Sequence, residues 1–345
     1  MNKTSEPTLM RREIDEIPDA VARLLQDATP AIGQAAAAAA AIDPAFLVTV
    51  ARGSSDHVCT YLKYASELML GLPVASVGPS VASIYGARLQ LKKTVCLTVS
   101  QSGQSPDIVE MTRAAMRDGA HAVAITNDPA SPLASTAHRT LDIHAGPERS
   151  VAATKTFVTS AVAGLALLAE WKDDDGVRAA LRELPEKLRE AAQIHWPELR
   201  ASIGQRPSLF TTGRGPAWAI SGEAALKFKE TCQLHAESYS SAEILHGPIS
   251  IVDNGFPVLA LAAGDAAEQS LAEVADKITA MGAQVFVTSD LCRDAQSLAH
   301  VRTGHALTDP LALIVSFYSM VERLARDRGI NPDLPRHLRK VTETV

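Results

Sequence analysis

Short apolar runs rich in β-branched residues recur along the chain, each followed by a turn and a longer stretch of helical character. Phe46-Leu47-Val48-Thr49-Val50, Thr94-Val95-Cys96-Leu97-Thr98-Val99 and Ser208-Leu209-Phe210-Thr211-Thr212 are of this kind. They lack the apolar–polar alternation of a strand with one wet face, and read as strands of a parallel sheet covered on both sides. An offset of 162 residues carries Arg52-Gly53 onto Arg214-Gly215, each closing a strand. The same offset carries residues 94–102 onto 256–264, and Thr126-Asn127-Asp128 onto Thr288-Ser289-Asp290. One register across three landmarks marks a duplication. The predicted fold class is therefore α/β, with two tandem domains, each a parallel sheet flanked by helices on both faces.

The expected organisation is an N-terminal helical segment over 1–29, a first domain over 30–172 and a helical connector over 173–203. A second domain follows over 204–330, then a tail over 331–345. Trp171-Lys172-Asp173-Asp174-Asp175-Gly176 is a polar break before the connector, and Pro185 and Pro197 should interrupt the connector helix. The alanines of residues 35–41 are strong helix formers and need no functional explanation.

At 345 residues the chain exceeds what one core usually serves, and its net charge of −6, with no basic stripe, argues against nucleic acid as a partner. The main basic cluster is local, at Arg336, His337, Arg339 and Lys340. Cys59, Cys96, Cys232 and Cys292 are scattered without metal-ligand spacing, so they read as reduced thiols and no metal is expected. Arg11, Arg12, Glu13, Asp15 and Glu16 stand where a leader would need apolar residues, and the apolar stretch 161–169 is too short to span a bilayer. The expectation is a cytoplasmic protein without membrane contact.

The stretch Ser100-Gln101-Ser102-Gly103-Gln104-Ser105 brings in the chemistry. A strand precedes it, and Pro106-Asp107-Ile108-Val109-Glu110 starts a helix with Ser105 as N-cap and Pro106 at the first helical position. Backbone N–H groups, hydroxyls and a helix N-terminus together suit an anion. With no lysine in the loop, a phosphate monoester fits better than a triphosphate. By itself the stretch reads equally as a capped strand-to-helix turn. The second half has Ala262-Ala263-Gly264 at the corresponding positions, then Asp265 and Glu268, so it should repel a phosphate. Gly213-Arg214-Gly215 lacks the third glycine of a dinucleotide fingerprint, with Trp218 in its place.

Elsewhere the residues leave alternatives open. Lys227 and Glu230 share a helix face at i,i+3, which describes a solvated ion pair as well as a placed one. His246, in Ile244-Leu245-His246-Gly247-Pro248-Ile249, reads as a hydrogen-bonded loop residue. Lys340 lies in a tail, ordinarily solvated, yet Leu334, Pro335 and Leu338 are more than such a tail needs. Asn127, Asp128 and Glu148 read as loop organisers.

Several separate segments nevertheless form one set. They are Arg52-Gly53-Ser54-Ser55, Ser100-Gln101-Ser102-Gly103, Ala145-Gly146-Pro147-Glu148 and Val151-Ala152-Ala153-Thr154-Lys155. Glu223-Ala224-Ala225-Leu226-Lys227-Phe228-Lys229-Glu230, Leu234-His235-Ala236-Glu237, Leu245-His246-Gly247-Pro248 and the tail residues 334–340 complete it. Together they resemble the double sugar-isomerase (SIS) module of glucosamine-6-phosphate synthases, over nearly the whole chain from Phe46 onward. Asn2 follows Met1 where those synthases carry a cysteine nucleophile, and fewer than fifty residues precede the first strand, so no glutaminase domain is expected. The chain resembles the stand-alone SIS enzymes, particularly the SIS-type glucosamine-6-phosphate deaminases.

The resemblance implies that Ser100, Gln101, Ser102 and Ser105, with Ser54 and Ser55, hold a sugar phosphate. It implies that Val151, Ala152 and Ala153 line the sugar, Ala153 standing where the synthases often have serine. Glu230 would be the acid/base between C1 and C2, and Lys227 would stabilise the developing oxyanion. His246 would open the ring from the neighbouring subunit of a homodimer. Lys340 would meet the open-chain carbonyl as an imine or as a charge. Neither metal nor organic cofactor is implied. The competing expectations are a fructosamine-phosphate deglycase, an ammonia-dependent synthase-type isomerase, and a non-catalytic sugar-phosphate sensor. A sensor of that kind usually carries a helix-turn-helix domain, for which the N-terminal segment is too short.

Overall fold

The computed structural model describes residues 6–340. The chain divides into two compact units. One is formed by Asp19–Gly146 and Thr156–Pro185. The other is formed by the described part of Met1–Pro18 together with Pro147–Lys155 and Glu186–Lys340.

The first unit is built on five strands, β1 (Phe46–Val50), β2 (Val74–Ser76), β3 (Thr94–Val99), β4 (His121–Thr126) and β5 (Arg139–Asp142). All pair in parallel, in the order β2-β1-β3-β4-β5. Every residue of β3 is buried, which is why its sequence shows no alternation. One face packs Val48, Val50, Cys96, Ile108, Met111 and Ala115 into a continuous core. Successive crossovers run outward in opposite directions from β1 and β3, so the turns after these two strands diverge. In open parallel sheets that divergence, at the carboxyl ends, is where ligands sit. Ser54, Ser55 and residues 100–105 lie in those two turns.

The second unit repeats the winding with β6 (Ser208–Gly213), β7 (His235–Ser240), β8 (Pro257–Leu261), β9 (Gln284–Val287) and β10 (Gln296–Ser297). The order is β10-β9-β8-β6-β7, again parallel throughout. The repeat read from the 162-residue offset is thus a repeat of topology. The helix Asp309–Asp327 is buried almost along its length, and the helix Pro216–Cys232 packs against it through Phe228 and Phe317, whose rings meet edge-on at 5.1 Å.

Residues 161–169 lie in the buried helix Lys155–Lys172. Among the described residues, no helix is long and apolar enough to cross a membrane. Pro185 does not interrupt its helix, which runs unbroken over Asp175–Ala191. Burial of Leu181, Leu184 and Leu188 holds the helix through the lost backbone bond. Pro197 instead opens the next helix, Pro197–Ile203, at a position where no N–H is needed. All four cysteines are free. Burial pushes the Cys96 thiol up to about 11 and that of Cys232 up to about 12, so neither presents a thiolate at neutral pH.

Candidate active site

The turn after β3 is held from several sides. Ser100 Oγ accepts from the Gly103 amide at 3.2 Å, and Ser102 Oγ accepts from the Gln104 amide at 3.3 Å. The Gln101 carbonyl accepts from the Asn127 amide and from Thr126 Oγ1, tying the turn to the end of β4. Gly103 has φ +62°, and a Cβ there would lie 2.2 Å from Ser131 Oγ. Glycine is therefore required twice over, by backbone conformation and by space. Ser105 occupies the N-cap position of the helix Pro106–Arg117, but its hydroxyl makes no capping bond. The turn after β1 is tied to the same helix through Arg52 Nε, 2.5 Å from the buried carboxylate of Asp107. Ser54 and Ser55 open the helix Ser54–Leu70 and are partly buried.

A Gly103→Ala change is expected to destabilise the protein by about 1–3 kcal/mol, the scale of a non-glycine residue forced into left-handed backbone. Thermal melts check this effect.

The corresponding turn of the second unit carries its own ions. Arg302 donates to Glu268 at 2.5 Å and to Asp309 at 3.3 Å, and also to the carbonyls of Ala262 and Thr288. Asp309 accepts from the Gly264 amide at 2.8 Å. Two carboxylates and an internal arginine thus surround the turn that carries Ala262, Ala263 and Gly264 where the first unit has Ser100, Gln101 and Ser102.

Lys227 and Glu230 are not a solvated pair. Lys227 is 1 % exposed, with Glu223 on one side at 3.5 Å and Glu230 hydrogen-bonded on the other. Burial opposes the lysine charge, but the two carboxylates outweigh it, and the pKa of Lys227 lies above its ordinary value. Glu223 also accepts from the Tyr318 hydroxyl at 3.0 Å. Burial, then Glu223, Glu148 and Glu230, push that phenol up, so both Glu148 and Glu230 lie within electrostatic reach of Tyr318.

Lys340 is ordered. Its ammonium donates to Glu148 Oε2 and to the Ser150 carbonyl, both at 2.7 Å. The Glu148 carboxylate is fully buried and also accepts from the Thr154 amide at 3.0 Å. Glu13 caps the Arg149 and Ser150 amides, and Lys155 is paired with Glu16. These bonds hold the segment Pro147–Lys155, with Val151 partly buried beside Ala152 and Ala153, inside the unit that contains Glu230. Residues 341–345 of the expected tail lie outside the described residues. His246 follows a short 3₁₀ turn and is exposed; among the described residues its ring has no hydrogen-bond or ion-pair partner. Asn127 does organise a loop, bonding Ala145 and Gly146, and Asp128 bonds the Ala130 amide.

Sequence reasoning missed Glu223, Tyr318 and the pairing role of Glu148. Glu223 was accessible in principle, because i,i+4 and i,i+3 spacing puts it on one face with Lys227 and Glu230. Glu148 and Lys340 are 192 residues apart, and no local signal joins them.

Two doubly wound parallel sheets, one with a hydroxyl-lined turn at its switch point and one beside a Glu–Lys–Glu row with a buried lysine, define a duplicated α/β protein whose halves carry different polar groups. The SIS domain pattern matches residues 44–170 and again 202–320. The chain belongs to the SIS domain family. The isomerizing glutamine–fructose-6-phosphate aminotransferase of Aeropyrum pernix is 32% identical to it over 365 residues, covering 100% of this chain and 58% of the relative. The chain spans 50–59% of the length of the curated relatives it matches first. A phosphosugar-isomerase-like protein from Silicibacter pomeroyi DSS-3 is 69% identical, with a TM-score of 0.92 over 95% of this chain and 100% of that one. Glucosamine-6-phosphate deaminase from Thermotoga maritima shares the fold at 17% identity, with a TM-score of 0.78 over 98% and 100% of the two chains.

Proposed function

We propose that the protein is an amino-sugar phosphate isomerase acting as a glucosamine-6-phosphate deaminase. The observation that carries this reading is the Glu223–Lys227–Glu230 row, buried at Glu223 and Lys227 and partly exposed at Glu230, in a unit that also holds Lys340 on Glu148. Three carboxylates and two lysines concentrated this way suit proton transfer next to a carbonyl, and serve a mere sensor poorly. The sugar phosphate is held through its phosphate by Ser100, Gln101, Ser102 and Ser105, with Ser54 and Ser55. Val151 and Ala153 border the sugar. His246 of the partner copy in a homodimer takes the O1 proton and returns one to O5, opening the ring.

Glu230 then removes the C2 proton, giving an enolamine whose O1 faces the Lys227 ammonium. The same carboxyl returns the proton to C1, leaving an imine at C2. Water adds at C2, the C–N bond breaks, and ammonia and fructose 6-phosphate leave. The Lys340 ammonium polarises the open-chain carbonyl. Lys340→Met is expected to lower turnover at least tenfold and also to lower the melting midpoint, because it leaves the buried Glu148 carboxylate without its cation. Normal turnover would return Lys340 to a structural tether.

The test is release of ammonia and fructose 6-phosphate from glucosamine 6-phosphate, with fructose 6-phosphate plus either ammonia or glutamine as paired reactions. Equal release of both products supports the deaminase. Synthesis from ammonia outrunning release would favour the second reading, a synthase-type isomerase, to which the kinship with the aminotransferases lends weight. No reaction in either direction overturns both. The shared-site feature has its own check. Glu230→Gln and His246→Asn proteins, each inactive alone, should regain partial turnover when unfolded and refolded together.

A further inference from the structure

The unit that contains Glu230 also holds an open cavity of about 530 Å³, lined by Arg11, Arg200, Glu322, Arg323, Arg326 and Asp327. Its size falls in the range of about 300–1,000 Å³ found for small-molecule sites. Three of its four guanidiniums have carboxylate partners. Arg11 grips Asp15, Arg200 meets Asp327 at 2.6 Å, and Arg326 faces Glu322 at 3.9 Å. Arg323 has no hydrogen bond or ion pair among the described residues, although it is half-buried. Burial, then the guanidiniums of Arg11 and Arg200, hold its pKa below the ordinary arginine value. Two further buried atoms on the lining residues lack partners, Arg200 Nε and Glu322 Oε2.

A fold gains nothing by crowding an unpaired guanidinium against two others beside an open space. The arrangement becomes favourable once an anion arrives, since guanidinium forks match phosphate oxygens two at a time. We propose that this cavity is a second ligand site, for a small phosphate ester, separate from the hydroxyl-rich turn after β3. The ester's phosphate sits on Arg323 and Arg200.

The probe is glycerol 2-phosphate, titrated by calorimetry and in thermal melts at fixed ionic strength. The wild type, a Ser100→Ala/Ser102→Ala protein, Arg323→Gln and Arg323→Lys are compared. Binding should persist when the serines are removed, fall at least tenfold in Arg323→Gln, and fall less in Arg323→Lys. Without probe, Arg323→Gln should melt as high as the wild type or roughly 2–4 °C higher, because relief of like-charge crowding stabilises. Absence of binding to the wild type, its loss with the two serines, or its survival in Arg323→Gln would each overturn the proposal. An Arg323→Gln protein that melts lower, or does not fold, marks a structural guanidinium and overturns it as well. Turnover of glucosamine 6-phosphate by Arg323→Gln, measured in parallel, reports on the deaminase reading alone.

Discussion

A Glu230→Gln protein is expected to bind glucosamine 6-phosphate about as well as the wild type and to turn it over roughly 10²–10⁴-fold more slowly, the contribution typical of a placed acid/base. The amide keeps the shape of the carboxylate and still accepts from Lys227, so fold and ground-state binding are preserved. What it lacks is a site for the C2 proton. The loss should therefore fall on kcat, with KM nearly unchanged. Solvent-deuterium incorporation at C1 of the product should vanish along with turnover. A variant that keeps wild-type kcat would remove Glu230 from the mechanism, whatever its surroundings look like.

Lys227→Met is expected to destabilise the protein by about 3–5 kcal/mol, the cost of leaving a buried carboxylate without its cation. Lys227 is 1 % exposed, and Glu223 beside it is fully buried. Methionine fills the lysine's volume but cannot neutralise Glu223, whose bond from the Tyr318 hydroxyl brings no positive charge. Adding Glu223→Gln should recover part of the loss, because it removes the stranded charge. Recovery in urea unfolding separates an electrostatic cause from a packing defect. The pKa of Lys227 is raised on folding, so its share of stability is complete below the ordinary lysine value and lost only as pH rises through the folded one. The difference between wild type and variant should accordingly hold steady from about pH 7 to pH 9. A gap that closes within that window would mean Lys227 titrates where the geometry says it does not.

The fold was legible because its signals are local and repeated. Fully buried parallel strands must be apolar on both faces, so β1, β3 and β6 stand out without alternation. The duplicated landmarks at one offset then imply duplicated winding. Pro185 shows the limit of that reasoning. A proline signals interruption when only backbone chemistry is weighed, but Leu181, Leu184 and Leu188 anchor the helix on both sides of it. The hydroxyl-rich turn after β3 was legible as composition, although its glycine requirement rests on Ser131, 28 positions away in the chain.

The amino-acid sequence by itself determined that this is a duplicated parallel α/β chain, that its two halves have diverged at matching turns, and which residue types could hold an anion. Those conclusions follow from period, spacing and side-chain chemistry, all of them properties of short segments. Only the tertiary structure decided that Lys227 is enclosed by two carboxylates rather than solvated, that Lys340 is seated on Glu148, and that Arg323 stands unpaired beside a cavity. Burial sets the strength of a charge, and burial is made by segments distant in the chain; no run of neighbouring residues encodes it.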